Sequence, residues 1–516
     1  MSLPLDLLMV AALIGGILIG YPVAFSIAGV AVLFALLGGA LGQFDMRLLG
    51  ALGQRVFGIM TNDVLIAIPL FVFMGLVLEK SRVAEDLLET MGRLFGRLRG
   101  GLGVSVALVG ALLAASTGIV GATVVAMGMI ALPTMLRNGY DPRLASGVVC
   151  ASGTLGQIIP PSTLLIILSD VMSNAFQRAQ FEQGRFSIET ISVGQIFAAA
   201  LAPGLLLVAV YVVYMLARAA LFPADAPAMR EAPDHPSPLR IAAVILPPIL
   251  LILAVLGSIL GGVATPSESA AVGAVGATLI AGARLGAPRW LIFGGAAALV
   301  ALVVGAGVAP VRLQRSDVTL ADQIRGGVYM ALAVFGFAGI VGALWRMRRE
   351  ALLTPTVKAT MTVTAMIFAT IITASVFSLV FIGLGGEHRL RAILAEMPGG
   401  ATGALLFSMA LIFLLGFFLD FVEISVILLP LVAPALILMG HDPIWLAVLI
   451  AINLQTSFLT PPFGFSLFYL RGAAPPEVTT GQIYAGVAPF IALQIVVIGL
   501  VWLAPGFATS LPRALF

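Results

Sequence analysis

The stretch PTMLRNGYDPRLASGVVCASGTLGQIIPPS, residues 133–162, recurs in outline as PALILMGHDPIWLAVLIAINLQTSFLTPPFG, residues 434–464. Six proline, glycine and aspartate positions coincide when the chain is shifted by 301 residues. They are Pro133, Gly139, Asp141, Pro142, Pro160 and Pro161, which match Pro434, Gly440, Asp442, Pro443, Pro461 and Pro462. The alternative is chance recurrence of proline and glycine in an apolar chain. Six coincidences at one separation favour an internal repeat.

An earlier pair of segments extends the repeat. Pro22 and Gly29 in YPVAFSIAG correspond to Pro266 and Gly273 in TPSESAAVG at a shift of 244. The smaller shift requires about 57 additional residues in the second half, and two extra apolar runs at 288–350 supply them. The predicted organisation has these parts: a first half at 1–220, a Pro/Ala-rich linker at 221–239, and a second half at 240–516 with a two-helix insert at 288–350.

Composition places the chain in a lipid bilayer. Of its 516 residues, 60% are hydrophobic and 10% are charged, whereas soluble domains carry about 25% charged residues. This composition excludes a soluble enzyme, a disordered chain and a nucleic-acid-binding protein. An outer-membrane barrel is disfavoured, because its strands alternate over about ten residues. The single cysteine, Cys150, excludes an intrachain disulfide. We therefore predict an all-α polytopic membrane protein.

Apolar runs long enough to cross a bilayer predict most of the spans. They lie at 4–20, 22–40, 64–80, 143–171, 193–217, 241–262, 266–283, 290–310, 326–345, 359–384, 443–470 and 483–504. Two other apolar segments, at about 101–136 and 402–437, are interrupted near their centres by small or polar residues. Each is too long for one span and too short for two, so we predict two re-entrant hairpins.

The distribution of basic residues predicts the orientation. With the N-terminus outside, 17 of the 27 lysines and arginines lie on the inside, as the positive-inside rule requires. The first hairpin then begins and ends inside, and the second begins and ends outside. We therefore predict an inverted repeat, a plan common among transporters.

Two spans are predicted to break in mid-membrane. The Pro-Pro pairs follow polar runs, ASGTLGQII at 151–159 and NLQTSFLT at 453–460. Because proline removes a backbone donor and clashes with the preceding turn, carbonyl groups are freed there. Such oxygens suit Na⁺, and the N-termini of nearby half-helices suit an anion. A simple proline kink is the alternative, and the duplication with polar residues in both copies argues against it.

The centres of the predicted hairpins carry the other candidate residues. The first reads AASTGIVGAT at 114–123, whose glycine and hydroxyl residues suit a tight tip that faces an ion or a substrate. Close helix packing by small residues is the alternative. The second reads GFFLDFVEIS at 416–425 and contains Asp420 and Glu423. Carboxylates within an apolar run are functional candidates, although one of them could instead cap a half-helix.

Several long motifs resemble one transporter family. They are GATVVAMGMIALPTMLRNGYDPRLASGVVCASGTLGQIIPPS (121–162), AIPLFVFMG (67–75), GGVATPSESAAVG (261–273), LLGFFLD (414–420) and LIAINLQTSFLTPPFG (449–464). The chain resembles the large membrane subunit of the tripartite ATP-independent periplasmic (TRAP) transporters, DctM-type, within the ion-transporter superfamily. The resemblance covers nearly the whole chain, apart from the insert near 288–350.

This resemblance implies an elevator-type secondary transporter, not an enzyme, with a scaffold domain and a transport domain. It implies Na⁺-coupled uptake of an organic anion, usually a carboxylate, across a bacterial inner membrane. The implied partners are a small TRAP membrane subunit and a periplasmic substrate-binding protein. The nearest alternative is a stand-alone Na⁺-coupled anion symporter of the same superfamily. An intramembrane carboxylate protease would need a partner for Asp420 that the sequence does not offer, and two occluding hairpins disfavour a channel.

The resemblance also implies where ions and substrate bind. Each half is expected to build one Na⁺ site from its hairpin tip and its broken helix. The candidate Na⁺ ligands are Ser116, Thr117, Gly153, Thr154, Asp420, Asn453, Gln455 and Thr456. The substrate is expected between the tips. The candidate substrate-binding residues are Gly118, Pro160, Pro161, Thr460, Pro461 and Pro462.

Overall fold

A computed structural model describes residues 4–118, 120–229, 237–311 and 319–516, without the side chains of Ser116 and Thr117. Two 3-10 turns, Met46–Ala51 and Leu155–Gln157, accompany the α-helices of the first part of the chain. Those helices are α1 (Leu5–Leu18), α2 (Val23–Ala40), α3 (Leu52–Met60), α4 (Asp63–Lys80), α5 (Val83–Phe95), α6 (Gly101–Thr117), α7 (Val120–Arg137), α8 (Pro142–Thr154), α9 (Thr163–Glu182) and α10 (Val193–Leu221).

The second part of the chain is also helical. Its helices are α11 (Pro238–Leu260), α12 (Pro266–Arg284), α13 (Arg289–Val308), α14 (Leu320–Arg349), α15 (Leu353–Gly383), α16 (Gly386–Ala395), α17 (Gly400–Leu415), α18 (Phe421–Ile427), α19 (Leu429–Leu438), α20 (Pro443–Leu459), α21 (Phe465–Ala473), α22 (Thr480–Leu503) and α23 (Gly506–Leu515). The predicted all-helical class is confirmed within the described ranges.

Eight of the described helices are long and apolar enough to cross a membrane. The number rises to ten if each of two bent helix pairs counts as one span. One of these pairs is α18 and α19, which bend by 58° at Leu428 within the predicted second hairpin. The chain is therefore a multi-pass membrane protein, in agreement with its composition.

Matching positions of residues 133–162 and 434–464 carry matching local structure. Asp141 and Asp442 are the N-caps of α8 and α20, and each accepts hydrogen bonds from the two backbone N–H groups that follow the first helical residue. Gly139 and Gly440 both have positive φ, at 84° and 99°. The peptide bonds of both Pro-Pro pairs are cis. The inverted orientation of the two halves stays a prediction.

Helices from the two predicted halves pack against each other crosswise. Helix α2 packs on α15, α12 packs on α4, and α8 packs on α22. Helices α8 and α22 approach each other closely, since a Cβ atom added at Gly147 would lie 2.2 Å from the carbonyl oxygen of Gly486. Such small-residue contacts bring backbones together as in many membrane helix pairs. The two sets of helices therefore share one buried interior.

The predicted two-helix insert corresponds to α13 and α14. These helices pack on each other and on α12, and a Cβ atom added at Gly295 would lie 3.1 Å from the Cα atom of Gly339. Side chains on the remaining faces, among them Phe293, Val303 and Phe337, are exposed. Residues 312–318 between the two helices, and 230–236 in the predicted linker, lie outside the described ranges.

Helices α5 and α16 are amphipathic and were not predicted. Helix α5 and helix α16 each follow a residue with positive φ, Arg82 and Gly385. Their charged residues hold them to neighbouring helices: Asp86 pairs with Arg284 at the end of α12, and Arg389 pairs with Asp6 of α1 at 2.6 Å. Uninterrupted apolar runs do not indicate such helices, because their apolar residues occupy only one face and alternate with polar residues in the sequence.

Candidate functional site

The first broken helix is formed by α8 and α9. Helix α8 ends at Thr154, a single 3-10 turn follows, and the chain passes through Pro160 and Pro161 before α9 begins at Thr163. Neither proline has a backbone N–H to donate, so the helical hydrogen-bond ladder is interrupted there. All residues from Leu144 to Ser169 are buried. A polar, irregular segment thus lies within the protein interior, where surrounding protein can cover it.

Helices α6 and α7, the predicted first hairpin, pack directly on this break. A Cβ atom added at Gly110 would lie 2.5 Å from the Cβ atom of Ser152, so α6 and α8 are in close contact. Gly118, at the end of α6, has a φ of 58°, and its Cβ position lies 3.0 Å from the Oγ1 atom of Thr163. The tip of the hairpin therefore rests against the first residue of α9.

The second broken helix is formed by α20 and α21. Helix α20 ends at Leu459, and α21 begins at Phe465 after the second Pro-Pro pair. The predicted second hairpin, α17 to α19, packs on it through side-chain hydrogen bonds. Asn453 donates from Nδ2 to the Met409 carbonyl at 2.8 Å, and the Ser457 hydroxyl donates to the Phe413 carbonyl at 2.8 Å. Each broken helix therefore contacts the hairpin of its own half.

The two breaks meet at a buried hydrogen bond. The Nε2 atom of Gln455 donates to the Oγ1 atom of Thr154 at 3.3 Å, and both side chains are fully buried. These residues occupy equivalent positions, because they are separated by the 301 residues that relate the two segments. Contact between equivalent positions is what a two-fold relation between the segments would produce. Two predicted Na⁺ ligands thus lie side by side.

Several buried polar atoms around this hydrogen bond have no protein partner within the described residues. They are Ser152 Oγ, Gln157 Oε1, Gln157 Nε2 and Gln455 Oε1. Leaving a buried polar group unpaired costs about 1–3 kcal/mol. Unpaired oxygens in a protein interior suit a bound ion or water that completes their interactions. The arrangement can therefore coordinate a hard cation such as Na⁺.

Asp420 and Glu423 form the N-terminal cap of α18. The Oδ1 atom of Asp420 accepts from the Phe421 N–H at 2.7 Å, and Glu423 accepts from the Asp420 N–H at 3.0 Å. This capping box realises the capping role that the sequence left open as an alternative. Both side chains are half-buried. Coordination of Na⁺ by Asp420 stays a prediction.

The other predicted Na⁺ ligands have mixed surroundings. The Thr456 hydroxyl donates to the Ile452 carbonyl at 2.8 Å, so its oxygen retains lone pairs. Gly153 lies where α8 meets α7, because its Cβ position is 2.3 Å from Val124 Cγ2. Packing therefore accounts for this glycine. The side chains of Ser116 and Thr117 lie outside the described part of the chain.

The predicted substrate-binding residues are unequally accessible. Gly118, Pro160 and Pro161 are buried, Thr460 and Pro461 are half-buried, and Pro462 is exposed. The hydroxyl of Tyr484 donates to the Pro462 carbonyl at 2.7 Å and so holds the second break to α22. The first break is therefore closed in this structure, and the second reaches the surface.

Three polar residues at the breaks were not predicted individually. Ser152, Gln157 and Ser457 belong to the polar runs that precede the prolines. The sequence feature that marks such residues is an amide or hydroxyl side chain in an otherwise apolar segment. Sequence alone does not say which face of a helix meets the hairpin, so it cannot separate these residues from their neighbours.

Comparison with known proteins agrees with this architecture. Residues 10–507 match the family model of the tripartite ATP-independent periplasmic transporter, DctM component. The C4-dicarboxylate TRAP transporter large permease protein DctM of Vibrio cholerae is 26% identical, over 97% of this chain and 96% of that protein. The ectoine TRAP transporter large permease protein TeaC of Halomonas elongata is 24% identical, over 98% of both. The YdaH transporter of Alcanivorax borkumensis has a similar fold, with 18% identity, a TM-score of 0.55 and 90% coverage of both chains.

Proposed function

The chain belongs to the DctM-component family of tripartite ATP-independent periplasmic transporters, and we propose that it drives uptake of an organic anion by symport with Na⁺. The observation that supports this proposal is the set of unpaired buried oxygens at the two breaks. Ser152, Gln157 and Gln455 supply them, each beside a helix interruption. Na⁺ is a hard cation that binds oxygen ligands, and no energy from ATP is required for such coupling.

The hairpins explain how ion binding would be coupled to movement. Each hairpin contacts the break of its own half, so an ion held between them takes ligands from both. Its affinity then depends on the position of the tip, and a ligand shifts a conformational equilibrium only through such differential affinity. An elevator mechanism, in which the hairpins and broken helices move together past a scaffold, fits this arrangement.

The start of α9 supports an anionic substrate. The Ser162 hydroxyl donates to the Gln157 carbonyl and makes no capping bond to α9, so the first N–H groups of this long helix have no side-chain cap. Helix N-termini favour negative charge. Two relatives are named for C4-dicarboxylates and for ectoine. Because both compounds carry a carboxylate, we propose a carboxylate substrate here.

The remaining parts of the proposal concern partners and location. A large permease of this family belongs to a tripartite system, so we propose a small membrane subunit and a periplasmic substrate-binding protein as partners. The inner membrane of a bacterium is the corresponding location. A stand-alone symporter is not favoured, since the relatives named above are TRAP permeases.

Uptake by reconstituted liposomes tests the proposal. The chain and its small membrane subunit are reconstituted together, and the periplasmic substrate-binding protein of the same system is added outside with its labelled ligand. We expect uptake when the binding protein and an inward Na⁺ gradient are both present. Saturable uptake at an equal rate without the binding protein would show a stand-alone symporter instead.

A further inference from the structure

A cavity lies beside α9, and none of residues 155–162 or 460–464 lines it. It has a volume of about 580 Å³ and is bounded by α3, the start of α4, α9, α15 and the bent arm α18–α19. Volumes of this size are typical of small-molecule sites. Ile59, Leu65 and Ile371 supply apolar wall, and Pro430 and Pro434 supply the side formed by the second hairpin.

Arg55 gives this cavity an uncompensated positive charge. Its only side-chain hydrogen bond within the described residues goes to the Ser375 carbonyl at 3.5 Å, and no described carboxylate lies within 4.0 Å of it. Five N–H donors on a guanidinium leave most of its hydrogen-bonding capacity free. Arg178 also lines this cavity. The two arginines therefore face one cavity without a shared anion between them.

The charged side chains that line the cavity are two arginines, Arg55 and Arg178, and one aspartate, Asp170. Arg178 is compensated by Glu387 at 2.5 Å and by Glu182 at 3.6 Å. Asp170 is the carboxylate in the lining, and its two oxygens accept from the side-chain amides of Asn62 at 2.8 Å and Asn174 at 3.4 Å. These amides orient Asp170 toward themselves, and no ion pair joins it to either arginine. An incoming carboxylate would meet Arg55 unopposed.

We propose that this cavity is a second binding site for the transported carboxylate, separate from the position between the hairpin tips. A guanidinium with free donors binds a carboxylate through short, charge-assisted hydrogen bonds, and the apolar walls would cover the carbon skeleton. The inference rests on the proposed function. In the predicted orientation the start of α4 lies outside, so the cavity is a loading site that a carboxylate reaches from the periplasm.

A cysteine probe measures occupancy directly. Cys150 is the only cysteine and is fully buried, so Ser375→Cys creates a single reactive thiol at the cavity wall. The full chain, in nanodiscs of phosphatidylcholine, is labelled with a membrane-impermeant maleimide in the presence of succinate or ectoine. We expect at least one of these two carboxylates to slow labelling in a saturable manner. Choline chloride at the same ionic strength is the control for salt.

Arg55→Gln and Arg47→Gln, each made in the Ser375→Cys chain, test the role of the guanidinium. Arg47 is an exposed arginine of the neighbouring 3-10 turn and does not line the cavity. Because Arg55→Gln removes charge-assisted hydrogen bonds, we expect it to raise the carboxylate concentration that gives half-maximal protection about tenfold or more. Arg47→Gln should leave it unchanged. Equal protection in both variants, or no protection by either carboxylate in the parent chain, overturns the proposal.

The phosphate of an anionic lipid headgroup also binds a guanidinium. One further experiment distinguishes lipid from carboxylate. Nanodiscs that contain phosphatidylglycerol and no added carboxylate should label as fast as those of phosphatidylcholine. Slower labelling with phosphatidylglycerol, abolished by Arg55→Gln, would assign the cavity to lipid and refute the proposal. Na⁺-driven uptake is measured on the same protein. Uptake without protection refutes this inference alone, and protection without Na⁺ dependence refutes the proposed coupling alone.

Discussion

Thr154 and Gln455 are the residues at which the two broken helices touch, and their chemistry is unusual for their surroundings. Both are fully buried, yet the Oε1 atom of Gln455 has no partner in the described part of the chain. Polar groups within a membrane interior are costly and are therefore functional candidates. The sequence identified both residues through their polar runs. It could not show that they contact each other, because that contact depends on how distant segments pack.

Asp420 tests whether the cap of α18 also binds Na⁺. Asp420→Asn keeps a good N-cap residue and removes one negative charge. We expect the Na⁺ concentration for half-maximal uptake to rise by about tenfold, with little change in thermal stability. Asp442→Asn is the matched control, since Asp442 caps α20 by the same type of hydrogen bond. An unchanged Na⁺ dependence in Asp420→Asn would leave this carboxylate with a capping role only.

Gly118 tests the contact between the first tip and α9. Gly118→Ala places a methyl group about 3.0 Å from Thr163 Oγ1, in a left-handed conformation that costs about 1–2 kcal/mol. Gly20→Ala imposes a positive φ with no atom within 4 Å. We expect both variants to lose similar stability in a thermal melt, and only Gly118→Ala to lose most of its uptake. Equal uptake by the two variants would contradict a role for this tip.

At the scale of helices, the sequence predicted spans better than it predicted their ends. Each predicted span contains a helix, and the prolines mark both breaks. Helix α9 continues to Glu182, beyond the predicted end at 171, and its polar residues Asp170 and Asn174 line the cavity. Asp170 accepts hydrogen bonds from Asn62, the N-cap of α4, and from Asn174 of α9 itself. Tertiary contacts of this kind cannot be obtained from local hydropathy.

A further signal for the repeat lies in α10 and α22. Both begin with a capping box, formed by Ser192 and Gln195 in α10 and by Thr479 and Gln482 in α22. The sequences that follow, VGQIFA at 193–198 and TGQIYA at 480–485, are similar. A shift of 301 residues does not align these two segments, because they are 287 residues apart. Loops of unequal length change the shift between equivalent helices.

The ionic network between α9 and α16 predicts a pH dependence of stability. Arg391 contacts Glu182 and Glu387, both at 2.5 Å, and its hydrogen bond to Glu182 lowers the pKa of Glu182 below the usual 4.5. A depressed carboxyl pKa stabilises the fold above about pH 4.5, and this contribution is lost as the pH falls through the lower folded value.

Arg391→Gln measures this contribution. Because Glu182 is partly exposed, we expect a loss of at most about 1 kcal/mol near neutral pH. The difference in melting temperature between parent and variant should shrink as the pH falls below about 4.5. Arg513→Gln removes a more exposed pair and should have little effect at any pH. A difference that grows toward acid pH would contradict the assignment.

At the scale of the whole molecule, the insert is predicted to be peripheral. Helices α13 and α14 contact α12 and expose most of their remaining surface. A photo-crosslinking residue at Arg325, near the start of α14, should therefore not capture bound substrate. A probe at Ile371, in the apolar wall of the cavity, is the positive control. Crosslinks from Arg325 to substrate would place the insert on the transport path. The other predicted probe position, Arg315, lies outside the described residues.

The ratio of Na⁺ to substrate transported is the quantity on which the whole account depends. Each half offers a hairpin in contact with a break, so the account predicts more than one Na⁺ per substrate. The ratio follows from the Na⁺ gradient that balances a fixed substrate gradient in liposomes with the complete three-component system. Zero net flux should occur at a gradient that corresponds to two ions, and Asp420→Asn should shift it toward one. A flux that is indifferent to the Na⁺ gradient would contradict the account.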